Sequence, residues 1–177
     1  MLVLAQPIWA HSGERGVPAS QGIINFGKVN DGLYRGAQPD AAGIRNLKKL
    51  GIRSIINLRM ADDVWKAEAS EAGANGILYT NLPMKGYGRP KPEQVAQALA
   101  LIEGLPSPVF IHCAHGCERT GTIIACYRVK HDHWSADLAL EEARRYGISK
   151  WAWGMRKYIA EFGRAATSVA HASANPT

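Results

Sequence analysis

One stretch limits what this chain can fold into: Val109-Phe110-Ile111-His112-Cys113-Ala114-His115-Gly116-Cys117-Glu118-Arg119-Thr120-Gly121-Thr122. The apolar run after Pro108 reads as a buried strand, and Ile123-Ile124-Ala125-Cys126-Tyr127-Arg128-Val129 reads as a helix. A tight loop between a strand and a helix start makes an anion site. The free N–H groups of the loop and first helical turn converge on one spot, and the helix dipole favours negative charge there. The same field favours the charged, nucleophilic form of a sulfur at Cys113. Arg119, six positions on, closes the cradle with two parallel N–H bonds to phosphate oxygens, a geometry lysine lacks. A nucleophile, an anion cradle and a guanidinium clamp are the parts of phosphoryl transfer through a cysteinyl-phosphate.

Around this stretch the patterning alternates between strand and helix. Residues 24–29 read as a strand, Asn30-Asp31-Gly32 as a turn, and Leu33-Tyr34-Arg35-Gly36 as a returning strand, which makes a hairpin. Asp40 is a helix N-cap, Ile44, Leu47 and Leu50 recur at helical spacing, and Gly51 is a stop. Residues 52–58 form a strand apolar enough to be buried on both faces. Asp62 and Asp63 are expected to cap a helix through about Ala72, followed by a strand at 77–82 and a Gly/Pro/basic loop at 83–92. A helix over 93–103 faces Val95, Leu99 and Ile102 inward; after the signature loop come helices over 120–130, from Ser135 to Arg145, and over 151–162. Such an order predicts an α/β fold: one mostly parallel sheet with helices on both faces and an N-terminal hairpin. Ligands of such sheets bind at the carboxyl ends of strands, where Cys113 falls.

The 177 residues suit one domain, and 46% apolar content can bury a core. Residues 1–22 are expected as a flexible extension, 23–163 as the domain, and 164–177, small and polar, as a disordered tail. The N-terminus is briefly apolar and lacks a basic region, so it reads as a frayed end of a cytoplasmic protein; the alternative is the remnant of an export signal with Ala10 near its cleavage point. No apolar run is long enough for a membrane span. The net charge of +6 is compatible with nucleic acid, anionic membranes or phosphorylated substrates, and no dense basic run or interleaved basic–aromatic patch argues for nucleic acid. Cys113, Cys117 and Cys126 are too clustered for a disulfide framework. Cys113 and Cys117 with His112, His115, His131 and His133 match no common zinc spacing, so no metal or other cofactor is expected. Oligomeric state is not encoded in any feature of the chain.

The segment His112-Cys113-Ala114-His115-Gly116-Cys117-Glu118-Arg119-Thr120-Gly121 resembles the signature loop of the cysteine-dependent protein tyrosine and dual-specificity phosphatases, His-Cys-x5-Arg-Ser/Thr. Gly32-Leu-Tyr-Arg-Gly-Ala-Gln-Pro39 followed by Ile55-Ile-Asn-Leu-Arg59 is similar to the opening of the compact, atypical dual-specificity phosphatases of bacteria, plants and fungi. The resemblance implies that Cys113 is the nucleophile and that Arg119 binds phosphate and stabilises its charge in the transition state. It implies that His112 orders the loop and that the Thr120 hydroxyl assists departure of the sulfur. Ala114, His115, Gly116 and Cys117 would form the cradle, with Gly116 letting the backbone turn and Gly121 letting the helix pack closely. Cys117 is either a resolving thiol or a small residue filling the loop. Lys85, Arg89 and Lys91 lie where the family brings substrate-facing residues to the pocket; they are either a solvated basic loop or a preference for substrates with several phosphates. Trp151 and Trp153 are expected as core or packing residues rather than a ligand platform.

The departure is the general acid. The family takes an Asp from a loop about 30 residues before the nucleophile, and no Asp occurs here from Val64 to His131. Glu118, directly before Arg119, is the candidate, as some phosphoinositide-directed relatives place an Asp there; Asp62 or Asp63 is the alternative. The resulting expectation is a metal-independent phosphatase acting on a phosphoprotein or on an inositol phosphate or phosphoinositide. A phosphate-reading pseudophosphatase and a rhodanese-like sulfurtransferase remain the alternatives.

Overall fold

The computed structural model describes residues 16–174. The N-terminal stretch read as a frayed end or signal remnant lies outside the described residues. Five strands, β1 (Gly27–Asn30), β2 (Leu33–Gly36), β3 (Ser54–Asn57), β4 (Leu78–Asn81) and β5 (Val109–His112), form one sheet in the order β1-β2-β5-β3-β4. β1 and β2 are the antiparallel hairpin, and β2, β5, β3 and β4 run parallel. The helices are α1 (Ala41–Lys49), α2 (Glu68–Ala74), α3 (Pro92–Gly104), α4 (Glu118–Lys130), α5 (Ala136–Arg145) and α6 (Trp153–Ala174).

Alternation along each central strand sorts side chains to two faces. Leu33, Ile56, Val109 and Ile111 join Val95 and Leu99 of α3, Ile123 and Ile124 of α4 and Tyr158 of α6 on one face. Ile55 and Phe110 join Ile44 and Leu47 of α1 and Ala72 of α2 on the other. A further cluster packs α4, α5 and α6 together through Ala125, Ala139, Ala143 and Met155. The expected two-faced sheet is therefore present, and Asp40 caps α1 by accepting from Gly43 N at 2.7 Å.

Four local expectations need correction. α2 begins at Glu68, so Asp62 and Asp63 do not cap it; residues 60–63 turn instead, with Asp63 N bonded to Met60 O, and the Asp63 carboxylate is taken by Arg59. Leu50 follows the last turn of α1 and stands 36% exposed. α6 runs through Ala174, so the segment after Gly163 is helical there rather than a disordered tail. Order also starts before Ile23: Val17 N donates to Asn25 Oδ1 at 2.9 Å.

Candidate active site

Gly36, His112 and Asn57 stand side by side where β2, β5 and β3 end. Cys113 follows at once, 2% exposed, and the loop from it runs into the first turn of α4. Three consecutive carbonyls of that loop face the scaffold. Ala114 O accepts from Gln38 N at 3.2 Å, His115 O from Asn25 Nδ2 at 3.2 Å, and Gly116 O from the Arg35 Nη2 at 3.1 Å. In a planar trans peptide the N–H points opposite to the C=O. The N–H groups of His115, Gly116 and Cys117 are thus turned away from the scaffold, toward the hollow of the loop, as an anion cradle requires. Gly116 has φ +70°, and a Cβ there would sit 2.6 Å from the carbonyl carbon and oxygen of Gly36, so the loop seats on β2 only with glycine.

The supports are buried and polar. Arg35, 1% exposed, lies with its guanidinium 3.7 Å from the centre of the Tyr146 ring. Burial lowers its pKa, while Tyr146, Glu142, Cys113 and Cys117 act in the opposite direction. Asn25, fully buried at φ +56°, also donates to Tyr146 O at 2.9 Å and to Cys117 Sγ at 3.5 Å. His112 Nε2 lies 2.8 Å from Glu68 Oε1, both side chains being fully buried, and its Nδ1 lies 3.4 Å from Cys113 O. Glu68 Oε2 accepts from Asn57 Nδ2 at 2.6 Å and from Tyr79 OH at 3.4 Å. Burial, then the Glu68 charge, pushes the Tyr79 hydroxyl up to about 12.

Arg119 crosses the mouth of the loop. Its Nη1 donates to Met84 O at 3.3 Å and to Leu58 O at 3.4 Å, and its Nη2 lies 3.7 Å from Asp63 Oδ2. Asp63 is gripped by Arg59 at 2.7 and 3.2 Å, and Arg59, with a smaller contribution from Arg119, holds its carboxyl below the usual range. The Thr120 hydroxyl is buried with no hydrogen-bond partner among the described residues, available to the sulfur or a bound oxyanion.

Comparison with known proteins follows the same lines. The family model described as the DSP-PTPase phosphatase fused to NAD+ kinase matches residues 18–160. The chain belongs to this family. It is a cysteine-dependent phosphatase. Among relatives, an inositol diphosphatase of Arabidopsis thaliana is 32% identical over 146 residues, spanning 80% of this chain and 69% of that protein. The dual specificity protein phosphatase TpbA of Pseudomonas aeruginosa is 29% identical over 148 residues, spanning 78% of this chain and 65% of that protein. Among solved structures, P. aeruginosa TpbA superposes with a TM-score of 0.71 at 25% identity, covering 93% of this chain and 99% of the other. The catalytic core of the S. cerevisiae PP-IP phosphatase Siw14 shares the fold, with a TM-score of 0.70 at 24% identity, covering 88% and 96%.

In this phosphatase the other candidate residues divide. Ala114 is half-buried and His115 exposed, at the rim. Cys117 is buried and donates to His115 O at 3.3 Å, a structural use inside the loop. Glu118, 5% exposed, opens α4 beside Arg119, and its carbonyl accepts from Thr122 Oγ1 at 2.7 Å. A Cβ on Gly121 would make ordinary contacts, 3.7 Å from Arg35 Nη2 and 3.8 Å from Ala143 Cβ, so close packing does not demand glycine there. Lys85 and Lys91 are exposed in the loop between β4 and α3, but Arg89 is committed to Glu161 and lies over Tyr158 at 5.1 Å. Trp151 and Trp153 do not pack in the core; they are 70% and 72% exposed. The length of α4 separates His112, Cys113, His115 and Cys117 from His131 and His133. Sequence reasoning missed Asn25, Arg35 and Glu68. For Arg35 the signal was a charge inside a strand whose neighbours are buried; for Glu68 and Asn25 there was none, because their partners are distant in sequence.

A cavity of about 750 Å³ lies elsewhere, lined by Trp134, Asp137 and Arg164 near the start of α5 and the middle of α6. None of the signature residues borders it.

Proposed function

We propose that the phosphatase hydrolyses monoesters or anhydrides of a polyphosphorylated small molecule of the inositol phosphate class. The Cys113 thiolate attacks phosphorus, the bond to the leaving oxygen breaks, and that oxygen takes a proton from Glu118. Water then attacks the cysteinyl-phosphate, giving a proton to the Glu118 carboxylate, and the S–P bond breaks to release inorganic phosphate and restore the thiolate, assisted by the Thr120 hydroxyl. The loop N–H groups and Arg119 stabilise the charge on the transferring phosphoryl group. Glu118 is preferred over Asp63 as acid because Arg59 holds Asp63 ionised, and an ionised carboxylate has no proton to give.

The observation that carries the substrate class is the position of Lys85. It is exposed and follows Met84, whose carbonyl is bonded to Arg119, which supports a second cation within reach of the phosphate clamp. Relatives named as an inositol diphosphatase and as a dual-specificity protein phosphatase support phosphate-rich and phosphoprotein substrates respectively, and Lys85 favours the first. The test compares an inositol polyphosphate with a small aryl phosphate. Replacing Lys85 and Lys91 together by Ala should raise KM for the inositol polyphosphate about tenfold and leave the aryl phosphate within about twofold. Equal effects on both, or faster turnover of a phosphotyrosine peptide by the wild type, would return the substrate to the phosphoprotein class.

A further inference from the structure

Two segments far apart in sequence meet beside the site. Residues 85–91, Lys-Gly-Tyr-Gly-Arg-Pro-Lys, and 150–157, Lys-Trp-Ala-Trp-Gly-Met-Arg-Lys, contain no carboxylate. A Cβ on Gly154 would lie 2.3 Å from Arg89 N and 2.6 Å from Gly88 C, so the start of α6 touches the loop backbone directly. Arg89 reinforces the contact by lying over Tyr158 and pairing with Glu161, the acid that faces this junction and that Lys157 also approaches at 3.9 Å. The fold thereby joins two short basic–aromatic segments into one patch, and the expectation of no interleaved patch is corrected.

The aromatic residues that stand most open among the described residues all belong to it: Tyr87 at 61%, Trp151 at 70% and Trp153 at 72% exposed. The cations lie among them. Lys150 Nζ is 5.1 Å from the centre of the Trp151 ring, and Trp153 and Lys157 share one face of α6 at a four-residue spacing. Indole and phenol rings exposed beside lysines match the boundary between lipid headgroups and acyl chains, where such rings concentrate and where cations gain from anionic lipids. An acidic protein surface would use the cations and leave the open rings unanswered. The loop also leads back to Met84, bonded to Arg119, so a surface seated on this patch lies next to the mouth of the cradle.

We infer that residues 85–91 and 150–157 form a docking surface for an anionic membrane, holding the phosphatase at the headgroup layer. The inference does not depend on which phosphate ester is hydrolysed, because binding is read without turnover. The experiment sediments the full chain with vesicles of phosphatidylcholine alone or mixed with phosphatidylserine, and follows tryptophan emission. The wild type should pellet with the mixed vesicles only, with emission moving to shorter wavelength. Trp151→Ala/Trp153→Ala and Lys150→Glu/Lys157→Glu should each weaken binding about tenfold, with turnover of a soluble aryl phosphate unchanged as the control for folding. Wild-type protein that stays in solution with both vesicle types, variants that pellet as it does, or equal binding to neutral vesicles would overturn the proposal. Capture by a single-stranded oligonucleotide or by polyglutamate without vesicle binding would overturn it as well.

Discussion

The two sides of the active-site mouth are built on opposite plans. On one side, the loop that starts at Cys113 is held by polar groups from three separate stretches of the chain: Asn25, then Arg35 with the Gln38 backbone N just after β2, and, through His112, Glu68 of α2. On the other, the segment from Met84 to Lys91 is largely open, fastened at Met84 by Arg119 and at Gly88–Arg89 by α6. The difference follows from what each side must do. A cradle for a developing charge has to be rigid before the substrate arrives, because reorienting dipoles during the reaction would forfeit their stabilisation. A recognition edge needs reachable charges, and charges left in water are cheap to keep and free to adapt. Chemistry should accordingly fail abruptly when the first side is altered, and selectivity should drift when the second is.

The largest expected effect is at the proposed nucleophile. Cys113→Ser should lower turnover by roughly 10⁴-fold or more while still binding vanadate or phosphate, because backbone N–H groups and Arg119 make the cradle. Loss of anion binding along with turnover, measured by calorimetry, would mean that the sulfur is part of the cradle. Hydrolysis unchanged in the Ser variant would end the covalent mechanism.

Next comes the support behind the loop. Glu68→Ala removes the acceptor of the buried Asn57 amide and the carboxylate 2.8 Å from the buried His112 Nε2, and should cost about 1–3 kcal/mol of stability. Chemical denaturation reads it directly. The same truncation at the exposed Lys85 should move stability by less than about 0.5 kcal/mol. Equal losses at both would erase the contrast between the two sides.

Glu118→Gln should slow alkyl phosphates by roughly 10²-fold and spare an activated aryl phosphate, whose leaving group departs without a proton. Uniform slowing would show that Glu118 supports the start of α4 rather than donating a proton.

How far these features can be read in the sequence follows the same division. The strand Val109–His112, the turn at Gly116 and the order of elements were legible because local chemistry specifies them: an apolar run, a Gly that must turn, an N-cap at Asp40. The supports were not, because Asn25 meets His115 across 90 positions and Arg35 meets Gly116 across 81. Asp63 was read as a helix cap because a carboxylate after a strand end commonly is one; Arg59, four residues earlier, outcompeted the backbone for it. The open tryptophans were read as core or packing residues because large aromatics usually are, but they stand exposed where the start of α6 meets the Gly88–Arg89 backbone.

The smallest effect concerns that same Asp63, on the border between the two sides. Its carboxyl is held below the usual range, first by the hydrogen bond from Arg59. A depressed folded-state value means that the pair contributes stability above the ordinary Asp pKa of about 3.9 and loses it as pH falls through the lower folded value. Asp63 is 49% exposed, so the contribution is screened and should stay below about 1 kcal/mol. Arg59→Met should therefore be slightly less stable than the wild type at neutral pH, with a gap that shrinks in high salt and closes as the solution is acidified below about pH 4. A gap that persists in acid would assign Arg59 to its other contact, with Gln38 Oε1 at 3.0 Å. The same ionisation bears on catalysis. An Asp63 that keeps its charge can orient Arg119 but cannot protonate a leaving group, so Asp63→Asn should slow alkyl and aryl phosphates alike. Slowing confined to the alkyl ester would transfer the acid's role from Glu118 to Asp63, and with it the proton from the buried side of the mouth to the exposed one.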